Sequence, residues 1–384
     1  MQYRPFGKTG FEVSLLGMGC MRLPRTTDSE GNARIDKEKA IELIQYAADN
    51  GINYFDTALT YHSSQSEALL GEALAGGRRQ KVRIATKQPF SFMKDTDTIK
   101  RNLEATLKKL QTDYLDVYLV HNIRDDNWEG VQKLKVFDTY QKLKEEGLIG
   151  AVAFSYHGGY HPFKEILDTY DWDMCQIQQN LLDIDKHTTE QSIFDAGNKG
   201  LALVIMEPLR GGGLANAPGD VKKLYAEFPV KRAPVEWAFR HVYNYPQVST
   251  ILSGMTTMEQ LKENLAIFAK DDVGANVMSI DEKKLLLDVK AAYESRVTID
   301  CTECEYCMPC PQNVNIPNIF RIYNDAMRFE TLDQQQRSYL FARNSKSDAS
   351  NCIECALCEE KCPQSIEIIK ELKKAHELLD GWYE

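Results

Sequence analysis

Over roughly the first 270 residues, short apolar runs alternate with longer amphipathic stretches, the pattern of βα units around a parallel sheet. The apolar runs predict strands at 13–18, 53–55, 82–86, 114–120, 149–154, 174–178, 201–206 and 248–252. Helices are predicted between them at 36–50, 65–75, 97–110, 131–146, 161–169, 188–199, 234–242 and 257–268. In the first helix Ile41, Ile44, Ala47 and Ala48 share one face, and Gly51 ends it. Eight strands with their helices in this length match a (β/α)₈ barrel. An open doubly wound sheet is the competing arrangement. It would need a glycine fingerprint opening a helix after the first strand, whereas Gly17-x-Gly19 runs into Cys20, Met21 and Arg22. The segment 3–13, with Gly7 and Gly10, is expected to form a hairpin closing the barrel bottom.

The pattern changes after residue 272. A connecting helix and linker are expected over 273–297, and a small, mainly helical domain over 298–384, with helices at 316–327, 331–343 and 365–379. Eight of the ten cysteines lie in this last part. Cys352, Cys355, Cys358 and Cys362, followed by Pro363, have the bacterial ferredoxin spacing of an iron–sulfur ligand run. Cys301, Cys304, Cys307 and Cys310, followed by Pro311, form a partner run with one residue fewer before its last cysteine. Thiolates are soft ligands suited to iron–sulfur clusters, and structural zinc is the alternative occupant. In two-cluster ferredoxins the fourth cysteine ligates the other cluster. The expected sets are therefore Cys301, Cys304, Cys307 and Cys362 around one [4Fe–4S] cluster, and Cys352, Cys355, Cys358 and Cys310 around a second. The tail is thus expected to be a ferredoxin-like iron–sulfur domain. Cys20 and Cys175 sit in apolar segments and read as core residues.

Composition narrows the partners. A net charge of −10 disfavours nucleic acid. No apolar stretch reaches membrane-spanning length, and no signal peptide is evident, so a reducing cytoplasm is the expected setting and disulfides are disfavoured.

In a barrel of this kind chemistry gathers at the C-terminal strand ends. Four polar residues fall there: Asp56 and Tyr61 after the second strand, Lys87 after the third, His121 after the fourth. A phenol with a reference pKa near ~10 is a weak acid at neutral pH, and an adjacent ammonium is expected to lower it by stabilising phenolate. Asp56 would fix Lys87, and His121 would orient a carbonyl or relay the proton. Taken singly, such an Asp is more often a helix cap, and such a His a structural residue. Four compatible groups on three successive strand ends form a coherent acid–base set.

The same residues carry a family resemblance. Gly51-Ile-Asn-Tyr-Phe-Asp56-Thr57-Ala58-Leu-Thr-Tyr61, then Ser66-Glu67 and Leu70-Gly71, resembles the aldo-keto reductase signature. Ile84-Ala-Thr-Lys87 and Asp113-Tyr-Leu-Asp116-Val-Tyr-Leu-Val-His121 resemble the next two segments of that family. The tail resembles the helical ferredoxin-like extension of one of its subgroups. The resemblance implies an aldo-keto reductase barrel over 1–272 that binds NADP(H) or NAD(H) and reduces a small carbonyl compound, or runs in reverse. It implies catalytic roles for Asp56, Tyr61, Lys87 and His121. It also implies that Ser155 and Gln176 hold the nicotinamide carboxamide, although Tyr156 replaces the Asn usual beside that Ser. Met206 stands where a Tyr commonly stacks on the nicotinamide ring, within Met206-Glu-Pro208-Leu209-Arg210-Gly211. The turn Gly211–Gly213 would let backbone amides approach a pyrophosphate. Members preferring NADPH carry a Lys and an Arg where this chain has Gly254 and Gln260, while Glu263 and Asn264 remain for adenine. The usual grip on a 2′-phosphate is therefore missing, with Arg210 as a candidate replacement.

The two halves differ in electron count. A nicotinamide delivers two electrons together and an iron–sulfur cluster passes one, a mismatch that a flavin resolves in other enzymes. Three alternatives follow: a flavin in the barrel pocket, clusters that only fold the tail, or an electron-carrier or redox-sensing protein with little carbonyl turnover. An acidic face formed by Glu303, Glu305, Glu354, Glu359 and Glu360 is a candidate docking face for a ferredoxin or other electron-transfer protein.

Overall fold

The computed structural model describes residues 1–28, 33–185 and 188–381. These divide into two compact units. One is Met1–Gly211 with Glu236–Ser279; the other is Gly212–Val235 with Ile280–Glu384.

The first unit opens with β1 (Tyr3–Pro5) paired antiparallel to β2 (Glu12–Ser14), and continues into β3 (Leu16–Gly19). The single strand expected over 13–18 is thus two strands. Leu15 N–H still bonds back to Gln2 O at 2.9 Å, and beyond it the chain joins the barrel. A small antiparallel pair follows, β4 (Arg25–Thr27) and β5 (Ala33–Ile35). Then come α1 (Lys37–Asp49), β6 (Tyr54–Asp56), α2 (Ser66–Ala73), β7 (Arg83–Pro89), α3 (Thr96–Leu110) and β8 (Leu115–Ile123). The predicted helix at 131–146 is instead two, α4 (Asp125–Lys133) and α5 (Val136–Glu145), because Lys135 adopts φ +54° and breaks the helical path. The unit continues through β9 (Ile149–Tyr156), α6 (Tyr160–Thr169), β10 (Met174–Gln178), α7 (Glu190–Asn198) and β11 (Ala202–Met206). After α8 (Gly219–Glu227), which belongs to the second unit, it ends with α9 (Pro234–Tyr243), β12 (Val248–Ser253) and α10 (Met258–Phe268).

The eight strands β3 and β6–β12 close into a barrel, each parallel to its neighbours. Its helices are amphipathic as their sequences predict. In α3, Ile99, Leu103, Thr106, Leu107 and Leu110 are buried at helical spacing, and the Asp95 carboxylate caps Thr98 N–H at 2.6 Å. Gly71 of α2 has a steric reason: a Cβ there would stand 2.6–2.7 Å from backbone atoms at Lys109 and Leu110.

Side-chain alternation decides what fills the barrel. Ala85, Val117, Leu119, Ala151, Ala153, Met174, Ala202, Val204 and Leu252 form one buried cluster with Tyr54, Phe6 and Val13. Two residues further along the same strands, the same face carries Lys87, His121, Ser155, Gln176 and Met206. The apolar plug therefore ends in a polar layer at the C-terminal strand ends. Cys20 and Cys175 are buried free thiols.

In the second unit α8 is joined by α11 (Ile280–Glu294), α12 (Ile316–Phe329), α13 (Leu332–Asn344) and α14 (Ile368–Leu379). Ile316, Ile319, Phe320, Ile322, Tyr323, Tyr339, Leu372 and Leu379 form its core, against which six of the cysteines pack. Gly213 is fitted to this unit, since a Cβ there would lie 2.9 Å from the Phe329 ring.

Candidate active site and cysteine centres

The loop after β6 brings Tyr61 over the barrel mouth by continuing to bond along β7. Thr57 N–H donates to Ala85 O at 2.9 Å and Leu59 N–H to Lys87 O at 3.1 Å. Thr57 Oγ1 is fixed to Ser66 Oγ at 2.8 Å, and buried Glu67 accepts from Thr86 Oγ1, Thr106 Oγ1 and Lys109 Nζ at 2.9, 3.1 and 3.2 Å. The Ser66-Glu67 pair therefore locks α2 to β7 and α3. After Tyr61 the chain turns through three successive left-handed residues, His62, Ser63 and Ser64.

Lys87 lies inside β7, a longer strand than the expected 82–86, and is 1% exposed. Its Nζ donates to Asp56 Oδ1 at 2.6 Å, to Thr57 O at 2.8 Å and to Tyr61 Oη at 3.4 Å. His121 likewise lies inside β8 rather than after it, with its ring edge-on to Tyr61 at 5.9 Å between centroids. The four residues singled out in the sequence are brought together.

Their electrostatics differ from expectation in one respect. Burial pushes the Tyr61 phenol above its ordinary value, and the Lys87 charge offsets only part of that rise. Burial opposes the Lys87 ammonium, yet the Asp56 carboxylate and Tyr61 together outweigh it and hold the lysine charged. Burial, aided by the charge of Lys87, lowers His121 to about 3, so its imidazole is neutral at physiological pH. His121 Nδ1 is buried without a hydrogen-bond partner among the described residues.

Across the mouth, Ser155 Oγ accepts from Asn122 N–H at 2.8 Å, and Gln176 Nε2 donates to Met206 Sδ at 3.6 Å. This leaves Gln176 Oε1 and Asn122 Oδ1 as buried acceptors with no partner among the described residues. Two unsatisfied acceptors suit the two N–H groups of a primary carboxamide. Sequence reasoning missed Asn122. The signal was present, an Asn directly after His121, but its left-handed φ of +58° and its contact with Ser155 depend on the register shift between β8 and β9. Tyr156 turns away, its Oη donating to Gly159 O at 3.1 Å.

Other expected cofactor residues are already engaged. Arg210 is ion-paired with buried Asp183, so its charge is compensated. Asn264 Nδ2 donates to Ser253 Oγ at 3.1 Å. Gln260 forms a capping box with Thr257 at the start of α10. Glu263 is exposed, Leu209 half-buried, and Gly211 has φ +65°.

In the second unit the two cysteine loops share a backbone pattern. Glu303 and Glu305 are left-handed in the first, Glu354 and Ala356 at the same offsets in the second. In the first loop, Glu303 N–H donates to Cys301 Sγ at 3.4 Å. Cys301, Cys304, Cys307 and Cys362 line one hollow. Cys310, Cys352, Cys355 and Cys358 line another, which Cys307 also reaches. None of the eight is in a disulfide. Eight sulfurs grouped around two hollows fit thiolate-held clusters in number and chemistry.

Barrel, polar mouth and paired cysteine loops define an oxidoreductase enzyme with an attached iron–sulfur domain. Residues 15–284 match the aldo/keto reductase family and residues 300–367 match the 4Fe-4S dicluster domain. The chain belongs to the aldo/keto reductase family. It is 29% identical over 233 residues to the uncharacterized oxidoreductase YrpG of Bacillus subtilis, covering 55% of this chain and 68% of that one. It is 22% identical over 322 residues to L-galactose dehydrogenase of Arabidopsis thaliana, covering 75% and 95%. Among solved structures, the holo form of the aldo-keto reductase AKR11C1 from Bacillus halodurans superposes with a TM-score of 0.62. Its identity is 26%, over 75% of this chain and 96% of that one. No helix among the described residues is long and apolar enough to cross a membrane.

Proposed function

We propose that the barrel reduces a small aldehyde or ketone with a nicotinamide nucleotide, or oxidises the corresponding alcohol in reverse. When bound, the reduced nicotinamide would supply a hydride to the carbonyl carbon. Tyr61 Oη gives its proton to the carbonyl oxygen, so that carbonyl, hydride and proton balance to an alcohol. The Lys87 ammonium stabilises the phenolate left behind, and Asp56 holds Lys87 in place and in charge. Neutral His121 directs the carbonyl oxygen toward Tyr61. Ser155, Gln176 and Asn122 would hold the carboxamide and thereby fix which ring face meets the substrate.

The observation that carries this reading is the position of Lys87 Nζ, within hydrogen-bond reach of both Asp56 Oδ1 and Tyr61 Oη in a buried site. Following NADH and NADPH oxidation against a panel of aldehydes and ketones tests it. Tyr61→Phe is expected to lose about 10²–10⁴-fold in kcat. Undiminished turnover in that variant would remove Tyr61 from the mechanism.

For the tail, the same reading assigns two [4Fe–4S] clusters. Cys301, Cys304, Cys307 and Cys362 hold one, and Cys310, Cys352, Cys355 and Cys358 hold the other. Bound clusters pass single electrons, which makes a ferredoxin-like carrier the natural exchange partner. Iron and sulfide analysis with EPR of the reduced protein tests this, and stoichiometric zinc in a colourless protein would refute it.

A further inference from the structure

Arg22 is an exposed cation between the turns that follow β3, β11 and β12, and no ion pair among the described residues uses it. It ends the short 3₁₀ turn Cys20–Arg22 that follows β3. Thr256 Oγ1 donates to Arg22 O at 2.9 Å, which ties this turn to the segment after β12. The side chain lies flat on Gly254. A Cβ built there would stand 3.2–3.3 Å from Arg22 Cβ, Cγ and Cδ, tighter than most such contacts. Its far end reaches the turn after β11, with Nη2 3.6 Å from the Cβ position of Gly211. The family resemblance places cations for a 2′-phosphate at the positions that Gly254 and Gln260 occupy in this chain. Here Gly254 is a bed for an arginine arriving from another strand. Arg210, the other candidate, is neutralised by Asp183.

We infer that Arg22, arriving from the end of the first barrel strand, holds the pyrophosphate of the bound dinucleotide against the Gly211 turn. The inference rests on the nicotinamide-nucleotide reading above. A guanidinium presents a planar fork of donors suited to phosphate oxygens. Gly211, with φ +65° and no side chain, leaves its backbone open to the same group. Because pyrophosphate is common to both nucleotides, Arg22 tightens NADH and NADPH alike and does not select between them.

Titration of the full-length protein with NADH and with NADPH, by calorimetry or nucleotide fluorescence, tests this without any turnover assay. Arg22→Gln is expected to weaken both by the same factor, about tenfold or more, as for loss of a hydrogen bond to a charged group. The salt dependence of binding should flatten in that variant. Arg22→Lys, which keeps the charge without the fork, should fall between the two proteins. Gly254→Ala, pressing on the arginine stem, should weaken both nucleotides in a common ratio. Unchanged binding by Arg22→Gln would overturn the assignment, as would a loss confined to NADPH, which would mark a 2′-phosphate contact. A wild-type protein that binds neither nucleotide would overturn the nicotinamide reading and this inference with it; binding by wild type with no effect of Arg22→Gln would overturn this inference alone.

Discussion

Lys87 Nζ stands 2.6 Å from Asp56 Oδ1, with both side chains almost wholly removed from solvent. Breaking a buried ion pair by removing one partner costs about 3–5 kcal/mol, because the remaining charge is left unsolvated. Asp56→Ala is therefore expected to lower stability by about that amount and to depress the Lys87 pKa. The double variant Asp56→Leu/Lys87→Met should recover much of the stability while remaining inactive. Chemical denaturation of the single and double variants, arranged as a cycle, measures the coupling directly.

The pH profile follows from the same pair. Tyr61 acts as an acid in reduction, so its active form is the protonated phenol, complete below its pKa and lost above it. With the phenol raised by burial, the reduction rate should hold from neutral pH into the alkaline range before falling. The Lys87 charge pulls that pKa down, so Lys87→Met should move the alkaline limb to still higher pH while lowering kcat. A limb that moves to lower pH would contradict the arrangement.

His121, lowered to about 3, should contribute no inflection between about pH 5 and 8. If kcat/KM shows one that disappears in His121→Phe, the imidazole titrates in the working range and its role as a neutral director is wrong.

Asp116 separates structure from catalysis. Its carboxylate bonds Arg83 Nη1 at 3.0 Å and Ile84 N–H at 2.9 Å, and lies 3.0 Å from Arg79 Nη2. Asp116→Ala strands the buried Arg79 and should cost about 3–5 kcal/mol. Enzyme that remains folded should turn over at close to the wild-type rate, since Asp116 does not touch Lys87, Tyr61 or His121. Comparing the melting temperature with kcat in the same preparation checks both halves of the statement.

Crossed ligation predicts which cysteines act together. Cys362→Ala should perturb the same cluster signal as Cys301→Ala, and Cys310→Ala the same signal as Cys355→Ala, when reduced EPR spectra are compared. Grouping by sequence run instead, with Cys362→Ala resembling Cys355→Ala, would refute the crossing. Anaerobic removal of iron should destabilise the second unit, against whose core six of these cysteines pack. Nucleotide binding by the barrel should survive it.

Much of the architecture is legible from local pattern, because burial on one face imposes its period on the sequence. The helix at 97–110, with its buried positions at helical spacing, is found almost as expected. The misreadings fall where local and long-range preferences conflict. Residues 13–18 are apolar apart from Ser14, yet the first half pairs with β1 and the second with the barrel. The run 131–146 is amphipathic throughout, yet it breaks at Lys135, a backbone conformation that apolar periodicity does not encode. Beyond their apolar runs β7 and β8 continue with the polar pairs Lys87-Gln88 and His121-Asn122, which carry no strand signal of their own.

The sequence by itself determined the chemistry: a phenol, an ammonium, a carboxylate and an imidazole on successive strand ends, and two cysteine runs whose spacing names their ligand type. Those are properties of residue type and local spacing alone. Only the tertiary structure decided how the groups act on one another. Burial, a property of the closed barrel, overrides the pull of Lys87 on Tyr61 and holds His121 neutral. Pairing with Asp183 compensates the charge of Arg210, and packing lays the Arg22 side chain along Gly254. Such outcomes depend on which atoms exclude water around a charge, and distant segments of the chain settle that together.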